Sequence, residues 1–377
     1  MAHGESLRPE PHLNRWQESG RLAYRSEDVL VRNARNWDGQ AWTDDDLKWD
    51  ALIDAENRIV ARVHNAGPLD APGVAVIFQY AEWGAGQGEQ DWVTLSTTSV
   101  DLPAHHTVEV ESEPWILKSE DGVTRSSHHC VRVLVSGDES DPEKPYSIPG
   151  REPPLLELNP NNNVAQSNVA LVYSSTASPS SRVEQPFRIH NPFDEPRAFR
   201  LELVQDNPLF RTYLAHRWVV VPAQGSRDVP ILVEYAEEGK DPALIDRHRD
   251  LPNYVNIRAS TLLEEDDFGP TGGATLVVRR GNRTAIVEFM AAAIDGTSDV
   301  LIRGEVREVA SGRSAPDAVV VLTLTGGDSN PRALRVPMRQ GRFEERVPGL
   351  GWTQARALYV PPVGYAEAHS DSVRNPY

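Results

Sequence analysis

The chain has 377 residues, enough for two or three domains at about 150 residues each, and its formal charge of −17 leaves no basic footprint for nucleic acid or an anionic membrane. A single Cys excludes an intrachain disulfide framework and a thiolate zinc cage. No apolar run reaches about 18 residues, so no spanning helix is expected, and the polar Met1–Gly20 lacks the apolar core of an export signal.

Met1–Ser26 is charged and unpatterned and reads as a flexible arm or a strap laid on a neighbour. From Asp28 onward, apolar residues recur at every second position in short runs broken by Gly, Pro, Asn and Asp, which is the pattern of half-buried antiparallel strands. Ile59, Ala61 and Val63 share one face, as do Phe199, Leu201 and Leu203, and Val255, Ile257 and Ala259. Only Lys240–His248 predicts a helix, opened by Asp241 as N-cap with Pro242 at the first helical position.

An internal repeat organises these strands. Arg62–Gln79 (RVHNAGPLDAPGVAVIFQ) and Arg188–Gln205 (RIHNPFDEPRAFRLELVQ) each read strand, Asn-led turn, strand. Asn65 and Asn191 are placed to hydrogen-bond their own turn backbone, while Gly67, Pro68, Pro192 and Pro196 stop the ladder from continuing. A looser third copy lies in Val300–Val306 and Ala318–Thr325. The prediction is an all-β chain of three tandem β-sandwich domains over residues 27–168, 169–282 and 283–377. The last has strands at Leu301–Val306, Val319–Thr325, Leu334–Met338, Arg342–Val347 and Ala355–Tyr359.

Four segments then carry a resemblance. Asp28–Asn33 (DVLVRN), the strand and turn Ile59–Gly67, the run Ser126–Pro142 (SSHHCVRVLVSGDESDP) and the closing Asn159–Val169 (NPNNNVAQSNV) resemble, in that order, the CARDB-type immunoglobulin-like β-sandwich of large bacterial proteins. The resemblance covers about Asp28–Val172 and is interrupted by a Trp-rich insertion, Asn36–Asp54. The third domain is similar to transthyretin-like or bacterial immunoglobulin-like modules, through its Gly-Arg-Phe turn at Gly341–Phe343. The CARDB resemblance implies immunoglobulin-like sandwiches and a role in adhesion or protein assembly.

Catalytic signatures are missing: no G-x-S-x-G elbow, no H-E-x-x-H and no Walker loop. Gly84–Gly88 (GAGQG) reads as a flexible hairpin tip, and Cys130 as a small buried strand residue. The pairs His105–His106 and His128–His129 are expected to split one inward and one outward, since neighbours on a strand face opposite ways. His64 and His190, at matching repeat positions, read as outward.

Carboxylates cluster at Thr43–Asp46, Gly137–Glu143 and Glu264, Glu265, Asp266 and Asp267. Ca²⁺ could use such oxygens, and the last cluster is the metal candidate, although solvated loops guarding sheet edges explain the same pattern. No other cofactor is called for. Trp37, Trp42 and Trp49, inside the insertion, fit a partner-binding patch, a sugar-stacking platform or a cover for the sandwich itself. The expected function is a non-enzymatic structural, adhesive or partner-binding component of a bacterial assembly, acting on protein partners or on itself. The alternatives are the carbohydrate-binding accessory modules of a secreted hydrolase, and a hydrolase with a dispersed carboxylate pair. Synthesis in the cytoplasm with release or incorporation into an extracellular assembly is the expected localisation.

Overall fold

The computed structural model describes residues 11–13, 24, 26–35, 51–52, 55–86, 88, 91–117, 129–136, 164–175, 182–264, 267–326, 332–362 and 364–377. Among these the chain is all-β except for one short helix, and its sheets face each other in pairs as β-sandwiches.

The N-terminal sandwich uses β1 (Pro11–His12), β2 (Val29–Asn33), β3 (Glu56–Asn65), β4 (Ala71–Glu82), β5 (Gly84–Ala85), β6 (Val93–Leu102), β7 (Thr107–Glu111), β8 (Trp115–Ile116), β9 (His129–Ser136) and β10 (Val164–Ser167). One sheet runs β1–β3–β2 with β7 and β8 also on β3; the other runs β10–β9–β4–β6. Alternation builds the core between them. Ile59, Ala61 and Val63 of β3 meet Val76 and Phe78 of β4 and Val133 of β9 in one buried cluster.

The middle sandwich follows with β11 (Val169–Ser175), β12 (Arg182–His190), β13 (Arg197–Gln205), β14 (Phe210–Leu214), β15 (Trp218–Val221), β16 (Ser226–Tyr235), α1 (Pro242–His248), β17 (Asn253–Glu264) and β18 (Asp267–Asn282). Its sheets run β11–β18–β17–β13–β15 and β14–β16–β12–β5. Phe199 and Leu201 of β13 and Val255, Ile257 and Ala259 of β17 pack on Phe187 of β12. Helix α1 carries the chain from one sheet to the other. The Asp241 carboxylate accepts from the Ala243 N–H at 3.0 Å, Pro242 opens the helix, and Arg247 and His248 occupy the last turn.

The C-terminal sandwich has β19 (Thr284–Ala293), β20 (Asp299–Glu308), β21 (Val319–Thr325), β22 (Arg332–Pro337), β23 (Arg342–Pro348), β24 (Gln354–Val360), β25 (Gly364–Tyr365), β26 (Ala368–His369) and β27 (Val373–Arg374). Sheet β19–β20–β23 faces β22–β21–β24–β26, with β27 also on β24 and β25 on β18 of the middle sandwich.

The repeat is structural down to its hydrogen bonds. The Asn65 amide donates to the carbonyls of Leu69, Leu102 and Pro103 at 2.9, 3.1 and 3.2 Å, and its Oδ1 accepts from the Gly67 N–H at 3.0 Å. In the middle sandwich the Asn191 amide donates to Glu195, Val221 and Pro222 at 2.8, 3.1 and 2.9 Å, and its Oδ1 accepts from the Phe193 N–H at 3.1 Å. Each Asn closes its own turn and ties that turn to a strand end across the sandwich.

The sandwiches also close on one another, which the tandem pattern does not announce. Between the N-terminal and middle sandwiches, Gly84 and Ala85 of β5 pair in parallel with Arg188 and Ile189 of β12. GAGQG is thus not a hairpin tip: its first two residues are a strand, because a Gly at 84 lets two backbones meet where a Cβ would strike the Arg188 carbonyl. Trp83, Trp92 and Cys130 of the N-terminal sandwich belong to the middle sandwich's core cluster. Asn168 binds the seam from within. Its amide donates to the Gly84 and Gly273 carbonyls, its Oδ1 accepts from the Cys130 Sγ at 2.7 Å, and its N–H donates to the Tyr24 carbonyl at 2.8 Å.

Two further seams complete the frame. Middle and C-terminal sandwiches share the β18–β25 pairing, where Gly281 lies opposite Gly364. N- and C-terminal sandwiches meet through Leu52 and Ala55 against Val321 and Leu358. Around that patch, the Arg335 guanidinium donates to the Ala34 and Arg35 carbonyls at 2.7 and 2.8 Å, and Arg35 pairs with Glu367 at 3.1 Å. Each sandwich therefore touches both others.

Candidate binding surfaces

Most of the residues singled out in the sequence fall where nothing can be said of their geometry. Trp37, Trp42, Trp49, Glu265 and Asp266 lie outside the described residues. Glu264 and Asp267 are the last and first residues of β17 and β18 and pair across the hairpin, at the end of β18 remote from the C-terminal sandwich. Among the described residues there is no group of three or more His, Cys, Asp or Glu placed to hold a metal ion. No helix among them is long and apolar enough to cross a membrane.

Cys130, His64, His129 and His190 are seam and strand residues, whereas His105 and His106 are not. Cys130 is fully buried, and that burial drives its thiol pKa upward, so it carries no nucleophilic thiolate at neutral pH. His105 and His106 are both exposed, contrary to the in–out expectation, because they occupy the turn before β7, with His105 at φ 56°, rather than a strand. His129 stacks edge-on to Trp115 with ring centroids 5.4 Å apart. His64 stays accessible and bridges Thr107 Oγ1 at 2.7 Å and Asp28 Oδ2 at 2.9 Å.

His190 points out of its own sheet, as expected, yet it is only 8% exposed because the N-terminal sandwich covers it. Its Nδ1 lies 3.5 Å from Asp91, with Glu82, Arg188 and Asp228 around it, and its Nε2 has no hydrogen-bond partner among the described residues. Protonation would bury an N–H without an acceptor, so desolvation lowers the His190 pKa despite the pull of Asp91. The neighbouring Arg188 grips Asp228 at 2.7 Å and also pairs with Glu82, which raises the Arg188 pKa and lowers that of Asp228.

A pH dependence follows, with a definite sign. A histidine whose folded pKa is depressed adds full stability above its unfolded pKa of about 6.5 and loses it as pH falls. Thermal unfolding at pH 7 and pH 5 should therefore show the midpoint falling further in the wild type than in His190→Gln, and equal drops would refute this role for the side chain.

One face of the middle sandwich has nothing packed over it among the described residues. Along β15, Val219 and Val221 point into the core while Trp218 and Val220 point out, at 55% and 58% exposure. The β17–β18 hairpin brings Leu262 and Phe268 opposite each other on the same side, and Phe268 meets Trp218 edge to face with centroids 5.5 Å apart. Burying none of these rings in the fold is costly in exposed apolar area, and such patches mark interaction sites. The rim is basic. Arg217 precedes Trp218, and the Arg227 guanidinium donates to the Val220 carbonyl at 3.3 Å; neither has a carboxylate partner among the described residues. The signal was present in the sequence: with Phe199 inward and β15 read as a strand, Trp218 in RWVVV is forced outward.

A second feature is a cavity of about 260 Å³ where the middle and C-terminal sandwiches join. Arg249, Arg279 and Arg280 line it together with Pro252, Pro362 and Tyr365. Glu237 pairs with Arg249 at 3.1 Å and with Arg280 at 3.7 Å, and it accepts a hydrogen bond from the Tyr235 hydroxyl. That bond and the flanking guanidinium groups lower the Glu237 pKa.

No family model matches the chain, and no curated protein matches it. Solved structures similar to parts of it include SSP-19, an MSP-domain-like protein of Caenorhabditis elegans, at 17% identity over 28% of this chain and 88% of that one, TM-score 0.18. The E. coli chaperone DraB is similar at 14% identity over 54% of this chain and 93% of that one, TM-score 0.21. A red sea bream transglutaminase is similar at 15% identity over 69% of this chain and 32% of that one, TM-score 0.18. At TM-scores this low the likenesses carry no argument, and the all-β sandwich class rests on the strand pairing described above.

Proposed function

We propose that this chain is a non-enzymatic structural component that binds protein partners, with three interlocked sandwiches as a rigid frame and the Trp218–Phe268 face of the middle one as the docking surface. The observation that carries this reading is the exposed aromatic pair on an ordered sheet, since Trp is the residue type most enriched where interfaces concentrate their energy. The CARDB resemblance of the N-terminal region points the same way, toward assembly, and Trp37, Trp42 and Trp49 would add a second patch to the same function.

The rim selects the partner's chemistry. Arg217 and Arg227 favour a protein surface with an apolar centre and carboxylates where it meets the β15 side. Docking is flat against the sheet. Addition of a strand at β15 is opposed by that strand's four-residue length and by Arg227, which occupies the Val220 carbonyl.

The test places a photo-cross-linking residue at Val220, identifies the protein captured in the source cells, and measures the purified pair. Trp218→Ala and Phe268→Ala should each weaken binding at least about tenfold with thermal unfolding unchanged. Affinity indifferent to both changes would sink the assignment. Retention on a glycan column that depends on Trp218 would replace it with the carbohydrate-binding alternative.

A further inference from the structure

The cavity at the join of the middle and C-terminal sandwiches is built in a way the frame does not require. Glu237 stands behind it and holds Arg249 and Arg280, while Arg280 also lies over the Tyr235 ring at 5.1 Å. Two guanidinium groups are thereby fixed in place by one carboxylate. Arg279, the third, lines the cavity half-buried and has no carboxylate partner among the described residues. Asp250 is the one acidic side chain in the lining. Arg249 and Arg280 are thus engaged by Glu237, and Arg279 is the lining guanidinium with no carboxylate partner among the described residues.

Apart from Asn282, the remaining walls are largely apolar and stiff. Leu251 and Pro252 come from the loop after α1, and Pro361 and Pro362 from the loop after β24. Tyr365 of β25 is fixed by donating its hydroxyl to Glu308 at 3.1 Å. A guanidinium fork matches a planar carboxylate through two parallel hydrogen bonds, and prolines and a tyrosine ring accept an apolar body beside it. The size admits a small ligand or the end of a chain rather than a drug-sized molecule. One unpaired guanidinium, with Asp250 in the lining and Glu308 behind Tyr365, suits a monoanion better than a phosphate, which carries about two negative charges near neutral pH.

We infer that this cavity binds a carboxylate attached to a small apolar group, with Arg279 as the anion-binding residue. The ligand is a free organic acid or the carboxyl terminus of a peptide, and the chemistry recognised is the same. The inference does not depend on the Trp218 face, which lies on a different part of the middle sandwich.

Calorimetry on the full chain tests it with N-benzoylglycine, a short peptide ending in Pro-Phe with a free carboxylate, the same peptide as its amide, and inorganic phosphate. N-benzoylglycine or the free-acid peptide should bind at about millimolar concentration or tighter, and the amide should not. Arg279→Ala and Arg279→Gln should each weaken binding about tenfold to a hundredfold, with unchanged thermal unfolding showing that the frame is intact. Binding of N-benzoylglycine alone assigns a free acid, and binding of the peptide acid extends the site to a chain end. Failure of both carboxylates to bind, binding indifferent to Arg279, or a preference for phosphate would each overturn the inference.

Discussion

Asn191→Ala is expected to destabilise the middle sandwich by about 3 kcal/mol or more, and Asn65→Ala to do the same to the N-terminal one. Both side chains are almost fully buried. Each donates to three carbonyls and accepts from one backbone N–H, so truncation removes four hydrogen bonds at once, although the Pro103 and Pro222 carbonyls keep the His106 and Gly225 N–H groups. Loss of a single such partner costs about 1–3 kcal/mol. The decisive comparison is Asn191→Asp, which keeps the shape and the acceptor for the Phe193 N–H. It turns the amide donor into a carboxylate oxygen facing the carbonyls of Glu195, Val221 and Pro222. Asp should therefore be no better than Ala at neutral pH and should recover in part on acidification, as the carboxyl regains one proton to donate. Urea unfolding of the three variants, with amide exchange in β12 and β13 to locate the loss, checks this. A wild-type midpoint for Asn191→Asp would show that the donor side of the amide does not matter.

That pair of asparagines also shows what a sequence of this kind discloses. The Asn-led turns, the inward faces of β3, β13 and β17, and the Asp241–Pro242 helix start are all set by contacts within a few residues, or within one sheet, and local pattern records them. The seams are not local. His190 does point out of its own sheet, as alternation requires, but outward there means against a neighbouring sandwich instead of water. Gly84 and Ala85 join a sheet whose other strands begin about a hundred residues later, and two glycines in a row of small residues look like a loop when that partner is unknown.

A faint signal of the closed arrangement was nonetheless there. Val319–Thr325 reads VVVLTLT, and Val320, Val321, Leu322 and Leu324 are all buried, with Val321 on the face turned to Leu52 of the N-terminal sandwich. A strand apolar on both faces must be covered on both, and an isolated two-layer sandwich covers only one. The run identifies a doubly covered strand without naming the cover. Trp218 posed the opposite problem: its outward place followed from alternation, yet only the absence of any described element over it made it a surface.

The largest effect on the frame as a whole is expected from Gly84→Ala. A Cβ there would run into the carbonyl oxygen of Arg188 and crowd that residue's Cβ as well, and a backbone atom held in a sheet cannot swing aside as a side-chain tip can. The pairing of β5 with β12 would have to open, and with it go the Gly84 carbonyl that Asn168 holds and the packing of Trp83 on Phe187, now 5.4 Å between ring centroids. Gly73→Ala is the control: it shares the loss of a glycine, at φ 64°, but its Cβ would meet nothing within 4 Å, so only the backbone penalty of about 1 kcal/mol remains. Gly84→Ala should exceed that several-fold, split the thermal transition into two, and expose the N-terminal–middle connection to limited proteolysis while Gly73→Ala leaves both unchanged. Small-angle scattering should then show a larger radius of gyration for Gly84→Ala alone, since a parted seam frees one sandwich to move against the others. One unfolding transition and an unaltered radius would mean that the frame is held by the C-terminal seams and that the β5–β12 contact is incidental to it.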